Sequence, residues 1–178
     1  MDPTALVATR FRESADLKLA SVAALAPAIA RAGRLLRERL HGGGKLLVCG
    51  NGGSAADAQH FTAELLGRYE RERDGLPAIA LHADTSTVTA VSNDYGFEQV
   101  FGRQVLALGR PGDGLVAIST SGNSPGILRA VEAAHRAGLA VVALTGRDGG
   151  GLAAMLRPSD VEIRVPATVT ARIQEVHI

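Results

Sequence analysis

Five short runs of aliphatic and β-branched residues punctuate the chain, at 45–49, 78–81, 115–119, 140–144 and 161–165. The first, apolar from Leu46 to Cys49, reads as a buried strand that ends in a glycine-rich loop. Between the five runs lie polar–apolar stretches of the length a crossover helix needs. Strands alternating with helices predict an α/β fold with a mostly parallel sheet of five strands. Right-handed connections follow, with ligands gathering at the carboxyl ends of the strands. Ahead of the first strand, residues from about 4 to 40 read as helical, rich in Ala, Leu, Arg and Glu. Pro27 predicts a break near Ala26, because a proline removes a backbone donor inside a helix. Leu17, Leu19, Val22, Ala23 and Leu25 are too many apolar positions to leave in water, so this region is expected to pack on the domain or on another subunit. His41-Gly42-Gly43-Gly44 ends it. The charged segment 69–74 reads as a solvated helix end and loop.

The 178 residues suit one domain, 1–178, with a helical region at 1–41 and an α/β core at 45–178. A formal net charge of +1 gives no bulk attraction to nucleic acid or to a membrane surface. No apolar run approaches the roughly 20 residues of a membrane span, and the opening Met1-Asp2-Pro3 lacks a basic region followed by an apolar one. The one cysteine, Cys49, falls in a strand and is expected to be a buried thiol. With no internal disulfide possible, a reducing, cytoplasmic setting fits.

Chemistry concentrates after the first and third strands. The first run ends in Gly50-Asn51-Gly52-Gly53-Ser54, and Ser54 reads as a helix N-cap with Asp57 closing a capping box. The helix that follows carries His60 and Glu64 at i and i+4, on one face and one turn apart. The third run ends in Ser119-Thr120-Ser121-Gly122-Asn123-Ser124-Pro125. Ser124 can cap the next helix and Pro125 suits its first turn. Hydroxyls beside free N–H groups at a helix start make a phosphate cradle. Neither loop is a dinucleotide fingerprint, and no P-loop lysine follows. The glycine-rich stretch 145–151 also follows a strand, but turn chemistry accounts for it.

These residues resemble the sugar isomerase (SIS) domain family and, within it, the phosphoheptose isomerases. The motifs are G-N-G-G-S-A-A-D-A-Q-H at 50–60, E-L-L-G-R at 64–68, S-N-D-Y-G-F at 92–97, S-T-S-G-N-S at 119–124 and R-I-Q-E-V-H at 172–177. The resemblance implies a five-stranded parallel sheet flanked by helices, and an isomerase converting sedoheptulose 7-phosphate to an aldose phosphate through an enediol(ate). It implies contacts to a phosphosugar at Asn51, Gly52, Gly53, Ser54, Glu64, Arg68, Asn93, Asp94, Ser119, Thr120, Ser121, Ser124 and Gln174. Zinc is implied on His60, Glu64 and Gln174, with Glu64 also the proton-transferring carboxylate. A homotetramer is implied, with N-terminal helices packed together and sites shared between subunits.

The family pattern continues the last helix and places a second zinc-binding histidine about eight residues, or roughly two turns, after Gln174. That position lies past Ile178, so the last helix reads as truncated, and His177 is read as structural. Ala171 stands where some of these isomerases have an aspartate. A sister group of replication-initiator-associating proteins shares the fold and the A-R-I-Q-E-x-H ending but binds a protein partner. A silent adaptor and a phosphosugar sensor are therefore the alternatives. Glu64 speaks for the enzyme, because the sister group lacks that carboxylate.

Overall fold

The computed structural model describes residues 2–178. A long helix α1 (Pro3–His41) leads into β1 (Leu46–Cys49), α2 (Gly53–Leu66), β2 (Ala78–Ala80) and α3 (Thr85–Tyr95). A 3-10 turn at Phe97–Gln99 joins α3 to α4 (Val100–Leu108). Then come β3 (Gly114–Ile118), α5 (Pro125–Ala137), β4 (Ala140–Gly146), α6 (Gly150–Met155), β5 (Val161–Val165) and α7 (Thr170–His177). All five expected strands are present.

They form one sheet in the order β2-β1-β3-β4-β5, every pair parallel. β1 and β3 are the central neighbours, with Val48 opposite Val116 and Cys49 opposite Ala117. From β1 the chain crosses outward to β2, and from β3 it crosses the other way to β4. The carboxyl ends of β1 and β3 therefore flank the point where the strand order reverses, the place where open α/β sheets bind ligands.

The period of two along each strand sorts the core into two layers. Leu47, Cys49, Leu115, Ala117 and Val141 face α4, α5 and α6, whose Phe101, Val105, Ile127, Val131 and Leu152 are all fully buried. Val48, Val116 and Ile118 face α1 and α2 through Leu36, Ala58 and Phe61. Val165, Leu25 of α1 and Ile173 of α7 close the far end of that layer. Cys49 has no exposed surface, and burial pushes its thiol up to about 12.

Two expectations need correction here. α1 does not break at Pro27 but runs unbroken for 39 residues. Interrupting a helix with proline costs about 3 kcal/mol. Leu25 and Ala32 are buried on either side of it, and Leu35 and Leu36 pack beyond. At roughly 1.5–3 kcal/mol for each large aliphatic side chain buried, docking on the sheet outweighs the lost bond. The second correction is that α1 contains an 18-residue stretch long and apolar enough, by length and composition, to cross a membrane. Its embedded arginines sit outside the apolar count taken residue by residue, which is why no continuous run revealed it.

Candidate active site

Both small-residue loops lie at the carboxyl ends of β1 and β3. They are joined there: the Asn51 side-chain amide donates to Ser124 Oγ at 2.7 Å. Ser124 is the N-cap of α5 by position, with Pro125 next, yet its side chain makes no capping bond. Its oxygen is taken by Asn51, and its own O–H remains free to donate. Ser119 is buried, while Thr120 and Ser121 are half-buried beside it. The backbone N–H groups of Gly52, Gly53, Thr120, Ser121 and Ser124 donate to no protein acceptor among the described residues. Free donors from two adjoining helix starts, with hydroxyls between them, favour an anion.

The capping box expected at Ser54 is absent. α2 begins earlier, at Gly53, and its N-cap is Gly52, with φ 56° and no side-chain bond. Gly52 turns the chain into the helix in a conformation other residues rarely adopt, which leaves Ser54 inside the first turn and buried. Asp57 is then free of the helix start. Its Oδ1 accepts from Gln174 Nε2 at 3.3 Å, which brings α7 onto α2. The Gln174 amide lies where a Cβ at position 53 would stand, so any larger residue there would displace that amide.

His60 and Glu64 share one face of α2 as expected, with Nε2 and Oε1 3.9 Å apart. Both line a cavity of about 570 Å³ between α1, α2, the sheet and the end of α7. Asp57, Phe61, Val176 and His177 line it as well. His177 bears out the structural reading. Its Nε2 donates to the Thr145 carbonyl at 2.9 Å, and burial holds its pKa below the ordinary 6.5.

Other expected residues stay apart from this group. Arg68 lies past the end of α2, exposed, with Glu72 3.4 Å away. Asn93 and Asp94 sit exposed near the end of α3, bonded to one another at 2.9 Å. The turn after them, Phe97–Gln99, packs on Gly126 in the first turn of α5. Nothing within one chain ties Arg68, Asn93 or Asp94 to the two loops.

Three contributions escaped the sequence reading. Arg73, in a segment read as solvated, is half-buried and donates to the Glu64 and Leu65 carbonyls, at 2.7 and 2.8 Å. It thereby satisfies the open end of the helix that carries Glu64. Asn123 accepts from the Gly151 N–H at 2.8 Å and donates to the Ser121 carbonyl at 3.1 Å. The 145–151 loop, read as a turn alone, thus buttresses the anion loop, and Leu152 N–H adds a bond to the Gly122 carbonyl. Asp57 is the third. Its partner is 117 residues away, a pairing no local pattern records.

The SIS domain model matches residues 10–146. A phosphoheptose isomerase from Shewanella sp. (strain ANA-3) is 58% identical over 168 residues, covering 94% of this chain and 85% of that protein. The chain belongs to the SIS-domain family, among the phosphoheptose isomerases. The solved phosphoheptose isomerase of Neisseria gonorrhoeae superposes with a TM-score of 0.93 at 52% identity, over 98% of this chain and 91% of that one. That of Francisella tularensis gives 0.96 at 49% identity, over 99% and 93%. The five-stranded parallel architecture is the SIS fold, and the chain is an isomerase acting on a sugar phosphate.

As for a metal, no cluster of three His, Cys, Asp or Glu side chains exists among the described residues. A third donor must therefore come from another residue type. Gln174 supplies one: with its NH2 turned to Asp57, its carbonyl oxygen makes no hydrogen bond. An imidazole and a carboxylate are usual zinc donors and an amide oxygen an unusual one, and the family pattern adds a further histidine to them. His60 and Glu64 are exposed enough to close on an ion at about 2.0–2.2 Å. The donor set fits.

Proposed function

We propose that this isomerase interconverts sedoheptulose 7-phosphate and D-glycero-D-manno-heptose 7-phosphate, with the phosphate on the Ser119–Ser124 side and the carbonyl end beside Glu64. The observation that carries the reading is the Asn51–Ser124 bond, which joins two donor-rich loops at the start of α2. Glu64 stands eleven residues further along the same helix, and His60 seven. At 1.5 Å per residue, His60 is about 10 Å and Glu64 about 16 Å from the loop along the axis, with both side chains leaning back towards the helix start. A sugar with carbonyl at one end and phosphate at the other, separated by most of a seven-carbon chain, suits that span better than a triose does.

In this reading Ser119, Thr120, Ser121, Ser124 and the free N–H groups of Gly52 and Gly53 hold the phosphate. Asn51 keeps the two loops in register. A Glu64 carboxylate oxygen takes the proton from C1 of the ketose and returns one to C2, while the O1 hydroxyl proton is lost and O2 gains one, so the carbonyl moves to C1 with no net oxidation. General acid–base transfer of this kind is worth about 10²–10⁴-fold. His60, Glu64 and Gln174 would hold zinc, which supplies polarisation of the carbonyl oxygen and offsets negative charge on it. Arg68, Asn93 and Asp94 reach substrate from a neighbouring subunit in a homotetramer built on α1. That helix leaves Val7, Phe11, Leu19, Val22 and Ile29 more than half exposed on this chain. A cytoplasmic enzyme of carbohydrate metabolism is the setting.

The test is turnover of sedoheptulose 7-phosphate followed as aldose formed, with zinc and after chelation. Metal-dependent aldose formation supports the reading; a folded, zinc-loaded protein that forms none overturns it.

A further inference from the structure

Asp57 is a carboxylate with 8% of its surface exposed, on the face of α2 that also carries His60 and Glu64. Burying such a group is costly unless it is bonded. Only Oδ1 is bonded, to Gln174 Nε2 at 3.3 Å, while Oδ2 is buried with no partner. It gives nothing to the start of its own helix. Nor does α7 need it for docking. That helix is already held by the fully buried Ile173, by His177 on the Thr145 carbonyl, and by Arg172 donating to the Arg10 carbonyl at 2.8 Å.

We propose that Asp57 is a positioning residue that sets which end of the Gln174 amide faces the cleft; this rests on Gln174 being a zinc donor. An ionised carboxylate can only accept, so it selects the NH2 half of the amide. The amide is planar, and its carbonyl oxygen is then turned away from Asp57. Reversed, Gln174 would present NH2, which has no lone pair for a metal ion. Gly53 leaves room for this placement, since a side chain there would displace the amide. Asp57 stands one turn before His60 on α2, so the amide it holds is bonded to the helix face that also carries His60 and Glu64. Partners that orient metal ligands typically change affinity by about 10–100-fold when removed.

The test is zinc affinity by competition with a chromogenic chelator, on the full chain and on Asp57→Ala, with the thermal midpoint of each metal-free protein measured alongside. The expected result is an affinity about 10–100-fold lower in Asp57→Ala, with a changed cobalt absorption spectrum when cobalt replaces zinc. A folded Asp57→Ala protein with unchanged zinc affinity overturns the positioning role. A parent chain that binds no zinc removes the donor reading of Gln174 and this inference with it. Should Asp57→Ala fail to fold, Asp57→Asn is the second variant: its own amide can present either half, so it no longer dictates the Gln174 orientation, and a lowered zinc affinity is expected while an unchanged one overturns the role.

Discussion

In the proposed reaction Glu64 is the proton-transferring base, and no other residue is assigned that step. Replacing it with glutamine keeps its shape, so Glu64→Gln is expected to lower kcat by about 10²–10⁴-fold with an unchanged denaturation midpoint; retained turnover would remove Glu64 as the base. The anion loop works through several donors at once. Ser121→Ala with Ser124→Ala is expected to raise KM with little change in kcat. Hydrogen bonds to a charged group are worth about 1.5–3 kcal/mol each, so the loss is roughly tenfold or more per bond. An unchanged KM would put the phosphate elsewhere. His177 makes a prediction about pH. Burial depresses its pKa below 6.5 in the folded chain, so below that pH the unfolded chain takes up a proton that the folded one resists. Stability is therefore level above pH 6.5 and falls as pH drops through the window below it. His82, also depressed by burial, adds to the same loss. Thermal midpoints across this range should show a shallower acid slope in His177→Gln, whose amide can still donate to the Thr145 carbonyl.

At the scale of elements, the strands were legible because their signal is dense. Five aliphatic runs alternate with helical stretches, the arrangement of a parallel sheet covered by helices, and only the two edge strands β2 and β5 contain exposed residues. Helix ends were less legible. Ser54 carries the residue type of a cap, but the geometry of Gly52 starts α2 ahead of it. Pro27 carries the residue type of a break, but packing on either side holds α1 straight through. Each local preference is worth about 1–3 kcal/mol, and tertiary contacts of that size overrule it. Pro27→Ala should restore the backbone bond to the Ala23 carbonyl and raise the thermal midpoint, the gain bounded by about 3 kcal/mol. A lowered midpoint would mean that α1 depends on proline at that point.

For the whole molecule, the site is spread over two crossovers and the last helix, and α1 lies along the sheet with much of its apolar surface uncovered. Phe11 and Leu19 are each 74% exposed. Charged substitution at both, Phe11→Glu with Leu19→Glu, is expected to shift the species seen by light scattering towards smaller assemblies and to lower turnover together with it. Loss of assembly with full turnover retained would confine the active site to a single chain.

The sequence by itself determined the strand set, the two small-residue loops after β1 and β3 and the His60–Glu64 pair, because each is written in contiguous or closely spaced residues. Tertiary structure alone decided how those pieces meet. The reversal of strand order between β1 and β3 sets Asn51 against Ser124, 73 residues apart. The docking of α7 gives Asp57 to Gln174, and the turn after β4 gives Gly151 to Asn123. Such contacts depend on which strands are neighbours, and neighbours are chosen by burying the whole sheet at once rather than by any local preference.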